Sequence, residues 1–114
     1  MKIAIPLYHE DVAPRFEFAD QFMIVEVQNS EVLERRNIPL QCGGILDRLE
    51  EISHRGVRAL LCGGFNRSFI PFANKLQLSV FVGLTGTVDD ILSSYLRGEL
   101  SAWPSAAALG EIGR

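Results

Sequence analysis

The residue pattern predicts an α/β domain, on three observations. Residues 3–7, 57–62 and 78–82 are short, nearly continuous apolar runs of strand length, as in strands covered on both faces. After Ile45, and again after Thr87, the apolar spacing changes to the helical period. The later runs also exit through glycines, at Gly63-Gly64 and at residues 83–86, where a strand must turn sharply into a crossover.

The elements follow in order. Ile3, Ala4, Ile5 and Leu7 make the first strand, which empties into the polar loop Tyr8-His9-Glu10-Asp11. Residues 22–27 and 32–38 are rich in β-formers on either side of a turn, and predict a hairpin. Its second arm carries Glu34, Arg35, Arg36 and Pro39, residues that protect an exposed edge through charge and a missing donor. Ile45, Leu46, Leu49 and Ile52 then lie on one helical face, closed by Arg55-Gly56. Residues 57–62 predict the fourth strand, and Asn66 or Ser68 caps a second helix that reaches about Leu76 with Pro71 in its first turn. Residues 78–82 are the fifth strand. Val88, Ile91, Leu92, Tyr95 and Leu96 form one face of a third helix, started by Thr87 with Asp90 and stopped by Gly98. Residues 1–100 are read as one domain and residues 101–114, with only weak periodicity around Trp103-Pro104, as a C-terminal tail.

Composition narrows the function. A chain of 114 residues that is 47% hydrophobic can bury a core without disulfides or structural metal. Its formal charge of −3, with both signs scattered, provides no footprint for a nucleic-acid backbone. Two cysteines, Cys42 and Cys62, are too few for a disulfide framework, so free thiols in a reducing cytoplasm are expected. Residues 1–6 are too short an apolar run for a signal peptide, and no later stretch reaches membrane-spanning length; a cytoplasmic protein without a membrane partner is expected.

Ligands of open α/β sheets bind outside the carboxyl ends of the parallel strands. This nominates residues 8–16, 62–67 and 83–87, with residues 39–44 at the same edge. On the functional reading, Gly63, Gly64, Gly83 and Gly86 present N–H groups to an anion, Arg15 or Arg67 adds charge, and Cys42, Cys62 or His9 ligates a metal. Each has a plainer reading beside it. The glycines serve the turns alone, Cys62 at the end of an apolar strand is an inert buried thiol, and His9 is a solvated loop residue. His54 serves as a partner of a helix dipole, and Asp89 and Asp90 serve as first-turn carboxylates. Walker, Gly-x-Gly-x-x-Gly, Gly-x-Ser-x-Gly and His-Glu-x-x-His patterns are absent, so no enzyme is expected; magnesium at Asp11, Glu17 and Asp20 is the weak catalytic alternative.

Three stretches in order are similar to one family. They are Met1-Lys2-Ile3-Ala4-Ile5-Pro6 leading to Val12-Ala13-Pro14-Arg15-Phe16-Glu17-Phe18-Ala19, then Leu60-Leu61-Cys62-Gly63-Gly64, then the segment from Gly83-Leu84-Thr85-Gly86-Thr87 to Arg97-Gly98-Glu99-Leu100. Together they resemble the dinitrogenase iron-molybdenum cofactor biosynthesis family. The resemblance implies a ribonuclease-H-like three-layer α/β/α fold with a five-stranded mixed sheet, order 3-2-1-4-5, strand 2 antiparallel. It implies, further, a stand-alone carrier that transiently binds an iron-sulfur or iron-molybdenum cluster precursor, with metallocluster-assembly proteins as partners. A metal-free regulatory or scaffold domain that senses a small anionic ligand is the alternative, and oligomer formation is left open.

Overall fold

The computed structural model describes residues 1–40 and 43–102. Its strands are β1 (Lys2–Tyr8), β2 (Asp11–Val12), β3 (Gln21–Gln28), β4 (Glu31–Pro39), β5 (Val57–Leu61) and β6 (Ser79–Phe81). The helices are α1 (Ile45–His54), α2 (Ile70–Lys75) and α3 (Val88–Leu96), with single 3-10 turns at Phe16–Phe18 and Arg67–Phe69. One mixed sheet runs β4-β3-β1-β5-β6, and β2 pairs with β1 off that path. The β1/β5 and β5/β6 pairs are parallel, whereas β3 is antiparallel to both of its neighbours.

The sheet therefore has six strands where five were expected. The extra one arises because His9, at φ 60°, reverses the chain tightly enough for Val12 to pair with Leu7. A two-residue strand has too little pattern to be read from the sequence.

Three layers follow from the alternation of side chains along β1. Ile3, Ile5 and Leu7 belong to one buried cluster with Val88, Ile91 and Leu92 of α3. Ala4 belongs to the other, with Leu49 and Ile52 of α1 and Ile70 and Ala73 of α2. Because helices cover both faces, strands β1 and β5 are buried almost continuously, and no buried polar side chain occurs among the described residues.

The helix ends depart from expectation in small ways. Asn66 Oδ1 accepts from the Ser68 N–H (3.0 Å), but the turn it caps is a 3-10 turn, and α2 begins only at Ile70 with Pro71 in its first turn. Gln77, at φ 63°, then reverses the chain, so β6 is three residues long rather than the expected five. Thr87 Oγ1 accepts from the Asp90 N–H (3.0 Å) and starts α3 as expected. Leu100 and Ala102 pack against the α3-side cluster; the remainder of the expected tail, residues 103–114, lies outside the described residues.

Leu49, fully buried between α1 and the sheet, measures that packing. Leu49→Ala is expected to lower unfolding stability by about 2–5 kcal/mol, read as a lower denaturation midpoint with an unchanged slope in urea.

Candidate functional site

The loops after β1, β5 and β6 converge at one edge of the sheet. Val12, Ala13 and Pro14 from the first, Gly63 and Gly64 from the second, and Gly83, Leu84, Thr85 and Gly86 from the third line an open crevice of about 320 Å³. Main-chain hydrogen bonds stitch the loops together. The Gly64 N–H donates to Pro14 O (2.7 Å) and the Phe16 N–H to Gly64 O (2.8 Å). On the other side, the Gly83 N–H donates to Gly63 O (2.8 Å) and the Leu84 N–H to Cys62 O (3.1 Å). Arg15 and Gly64 thereby pair as an isolated parallel bridge, extending the sheet by one step beyond β5.

This stitching separates two roles among the glycines. A Cβ on Gly63 would lie 2.7 Å from Ala13 O and 2.8 Å from Pro14 O, and one on Gly64 would lie 3.1 Å from Pro14 O. Backbone cannot yield cheaply there, so close approach alone requires glycine at Gly63. Gly83 (φ 73°) and Gly86 (φ 114°) instead adopt left-handed backbone with open space where a side chain would stand. The expectation that all four present N–H groups to a ligand is thus corrected in part: those of Gly64 and Gly83 are consumed by Pro14 O and Gly63 O.

Beyond these, α3 begins at the crevice wall. Thr87 takes up the N–H groups of Asp90 and Ile91, which leaves Val88 and Asp89 to supply the helix's outward-pointing N–H groups. The charges nearby are mostly matched within the chain. Arg15 Nε lies 3.3 Å from Glu17 Oε2, and Arg35 Nη1 lies 2.7 Å from Asp89 Oδ1, which blunts the carboxylate at the start of α3. Arg67 opens the exposed 3-10 turn that follows Gly64.

The expected soft ligands do not meet at this crevice. Cys62 is fully buried, in the cluster that holds Phe16 and Phe65 under α1 and α2, and its thiol donates weakly to Phe81 O (3.5 Å). Burial, with the Glu17 carboxylate as a lesser cause, pushes that thiol up to about 12. A thiolate is what binds metal, so Cys62 is corrected from candidate ligand to core residue. The reason is parity: Cys62 continues the alternation of β5 and falls on the α1 side with Leu60. His9 sits in the β1–β2 turn, its side chain 74% exposed and 3.8 Å from Asp20, and it does not line the crevice. Cys42 lies outside the described residues. Among the described residues, no three His, Cys, Asp or Glu side chains gather to hold a metal ion. What the described site offers an anion is main chain and one guanidinium.

Sequence reasoning missed two features. Arg48 Nη1 donates to Phe16 O (3.2 Å), Glu17 O (3.4 Å) and Ala19 O (3.2 Å), and so anchors the loop carrying Pro14 and Arg15 onto α1. An arginine three residues into a helix carries no signal that its partners lie in a distant turn. Beside the crevice, Tyr8, Pro14 and Phe18 line a second hollow of about 310 Å³, with both rings exposed. The first loop had been nominated, but not these rings.

Two measurements test this account. Gly63→Ala is expected to cost about 1–3 kcal/mol through overpacking, and Gly83→Ala about 1 kcal/mol through its left-handed backbone, both by chemical denaturation. For Cys62, the folded-state value is raised, so the protonated thiol contributes stability that is intact below about pH 9 and lost as pH rises toward about 12. Across that window wild type is expected to lose stability more steeply than Cys62→Val, measured by urea midpoints at each pH.

The chain has relatives on three counts. A family model described as dinitrogenase iron-molybdenum cofactor matches residues 1–98. The protein MJ0580 of Methanocaldococcus jannaschii is 26% identical over 105 residues, covering 88% of this chain and 89% of that one. Among solved structures, PH0822 superposes with a TM-score of 0.82 at 23% identity, covering 91% of this chain and 96% of its own. The apo form of the orange protein of Desulfovibrio gigas superposes with a TM-score of 0.75 at 20% identity, covering 91% and 93%. With the family model spanning everything from β1 to the end of α3, and thus all three loops of the crevice, the chain belongs to the dinitrogenase iron-molybdenum cofactor family.

Proposed function

We propose that this protein is a non-enzymatic carrier that holds an anionic iron-sulfur or iron-molybdenum precursor in the crevice and hands it to metallocluster-assembly proteins in the cytoplasm. The observation that carries the reading is the convergence of three glycine-bearing loops on one open crevice, in a chain of a family named for the iron-molybdenum cofactor. The same reading takes the three-layer architecture as ribonuclease-H-like.

The cargo is a substrate of the site, and the site suits one held loosely. A bulky anion with its charge spread over many atoms is satisfied by several weak N–H contacts from residues 85–89, with Arg15 at the lip. The aliphatic walls from Val12, Ala13, Pro14 and Leu84 exclude water without adding ligands. Cys62 takes no part in ligation, and Cys42 is the thiol that remains a candidate for direct coordination. Release then requires few coordinate bonds to break.

Anaerobic incubation with an iron-sulfur donor or a molybdenum-containing precursor, followed by desalting, absorbance and metal analysis, tests this directly. Wild type and Cys62→Ala are expected to retain equal amounts, whereas Thr85→Phe, which fills the crevice from an exposed wall position, is expected to retain at least about tenfold less. Cys42→Ser reports whether a thiolate assists. No retention by wild type, or retention unchanged by Thr85→Phe, rejects the carrier reading. Thermal stabilisation by inorganic phosphate without any by cluster precursors would support the anion-sensing alternative instead.

A further inference from the structure

The sheet's two edges differ greatly in length. β6 presents three residues and β4 nine, and the outer side of β4 has no strand partner among the described residues. Unpaired donors and acceptors along such an edge are a template for another strand, and charges on it deter most comers. Here the order of the charges matters more than their presence.

Pairing with β3 sets Glu34 opposite Glu26 and Arg36 opposite Ile24, so both stand on the sheet face shared with Lys2. Arg35 lies opposite Val25 on the other face, where Asp89 holds its guanidinium at 2.7 Å. Arg35 is also the midpoint of Glu31–Pro39. A second β4 laid antiparallel about a two-fold axis at Arg35 overlaps the full strand. In that register Glu34 faces the partner's Arg36 and Arg36 faces the partner's Glu34, on the same side of the joined sheet. The two Arg35 side chains face each other, each already paired with its own Asp89. At Glu34 and Arg36 a copy of this chain supplies the matching charge, which a strand of unrelated sequence has no reason to carry.

We propose that β4 is a homodimerisation edge, occupied by β4 of a second copy of this chain, which joins two six-stranded sheets into one continuous sheet. The pairing leaves the crevice free, since its lining comes from the loops after β1, β5 and β6, and it stands independently of the cargo reading.

Sedimentation of the 114-residue chain over a concentration series tests it. Wild type is expected to dimerise. Arg36→Glu sets two like-charged pairs across the axis and is expected to weaken the dimer at least about tenfold, while circular dichroism stays that of the folded chain. Adding Glu34→Arg to that variant restores both pairs with reversed polarity, and is expected to bring the dissociation constant back to within about threefold of wild type. A monomer at every concentration up to the solubility limit, a dimer indifferent to Arg36→Glu, or a double variant that stays dissociated would each overturn the proposal.

Discussion

The candidate site depends on the contact between Gly63-Gly64 and the backbone of Ala13 and Pro14. With 2.7 Å between Gly64 N and Pro14 O, and no room for a Cβ on Gly63, two segments far apart in sequence run side by side with nothing between them. That contact carries the first loop across the mouth of β5. It also sets Phe16 into the core, where its ring lies 5.2 Å from that of Phe65 and 5.7 Å from that of Phe22. These rings share one buried cluster with Cys62, whose sulfur is closed off from solvent.

The polar side chains around the mouth hold structure more than they hold ligands. Arg48 spends one Nη on the carbonyls of Phe16, Glu17 and Ala19, and Arg35 spends one on Asp89. An exposed ion pair such as Arg35–Asp89 adds little stability, but it fixes where charge lies. With Asp89 answered by Arg35, the start of α3 is less hostile to an anion than its two acidic residues suggest. Recognition by main chain is tolerant of ligand shape and weak for each contact. A carrier that must release its cargo intact benefits from both properties.

Much of the architecture was legible in the chain. Both-face apolar runs revealed the buried parallel strands, and the 45–52 and 88–96 periodicities revealed the two longer helices, because burial against a sheet imposes those spacings directly. β2 and the split at Ile70 were not legible. Both are made by single backbone conformations, at His9 and around Pro71, that produce no periodicity. Within the site, strand polarity alone anticipated that the loops after β1, β5 and β6 meet at one edge, while the side chains and N–H groups that face the crevice were not legible. Parity sets Cys62 with Leu60 on the α1 side of a strand whose opposite face is buried as well.

The sequence by itself therefore determined the succession of strands and helices, the crossovers and the three loops that follow β1, β5 and β6, since these follow from local hydrophobic spacing and chain direction. Only the tertiary structure decided that Gly63 is a packing necessity, that the N–H groups of Gly64 and Gly83 are already bonded, and that Cys62 is inert. Those outcomes depend on distances between residues tens of positions apart, and no local pattern encodes such distances.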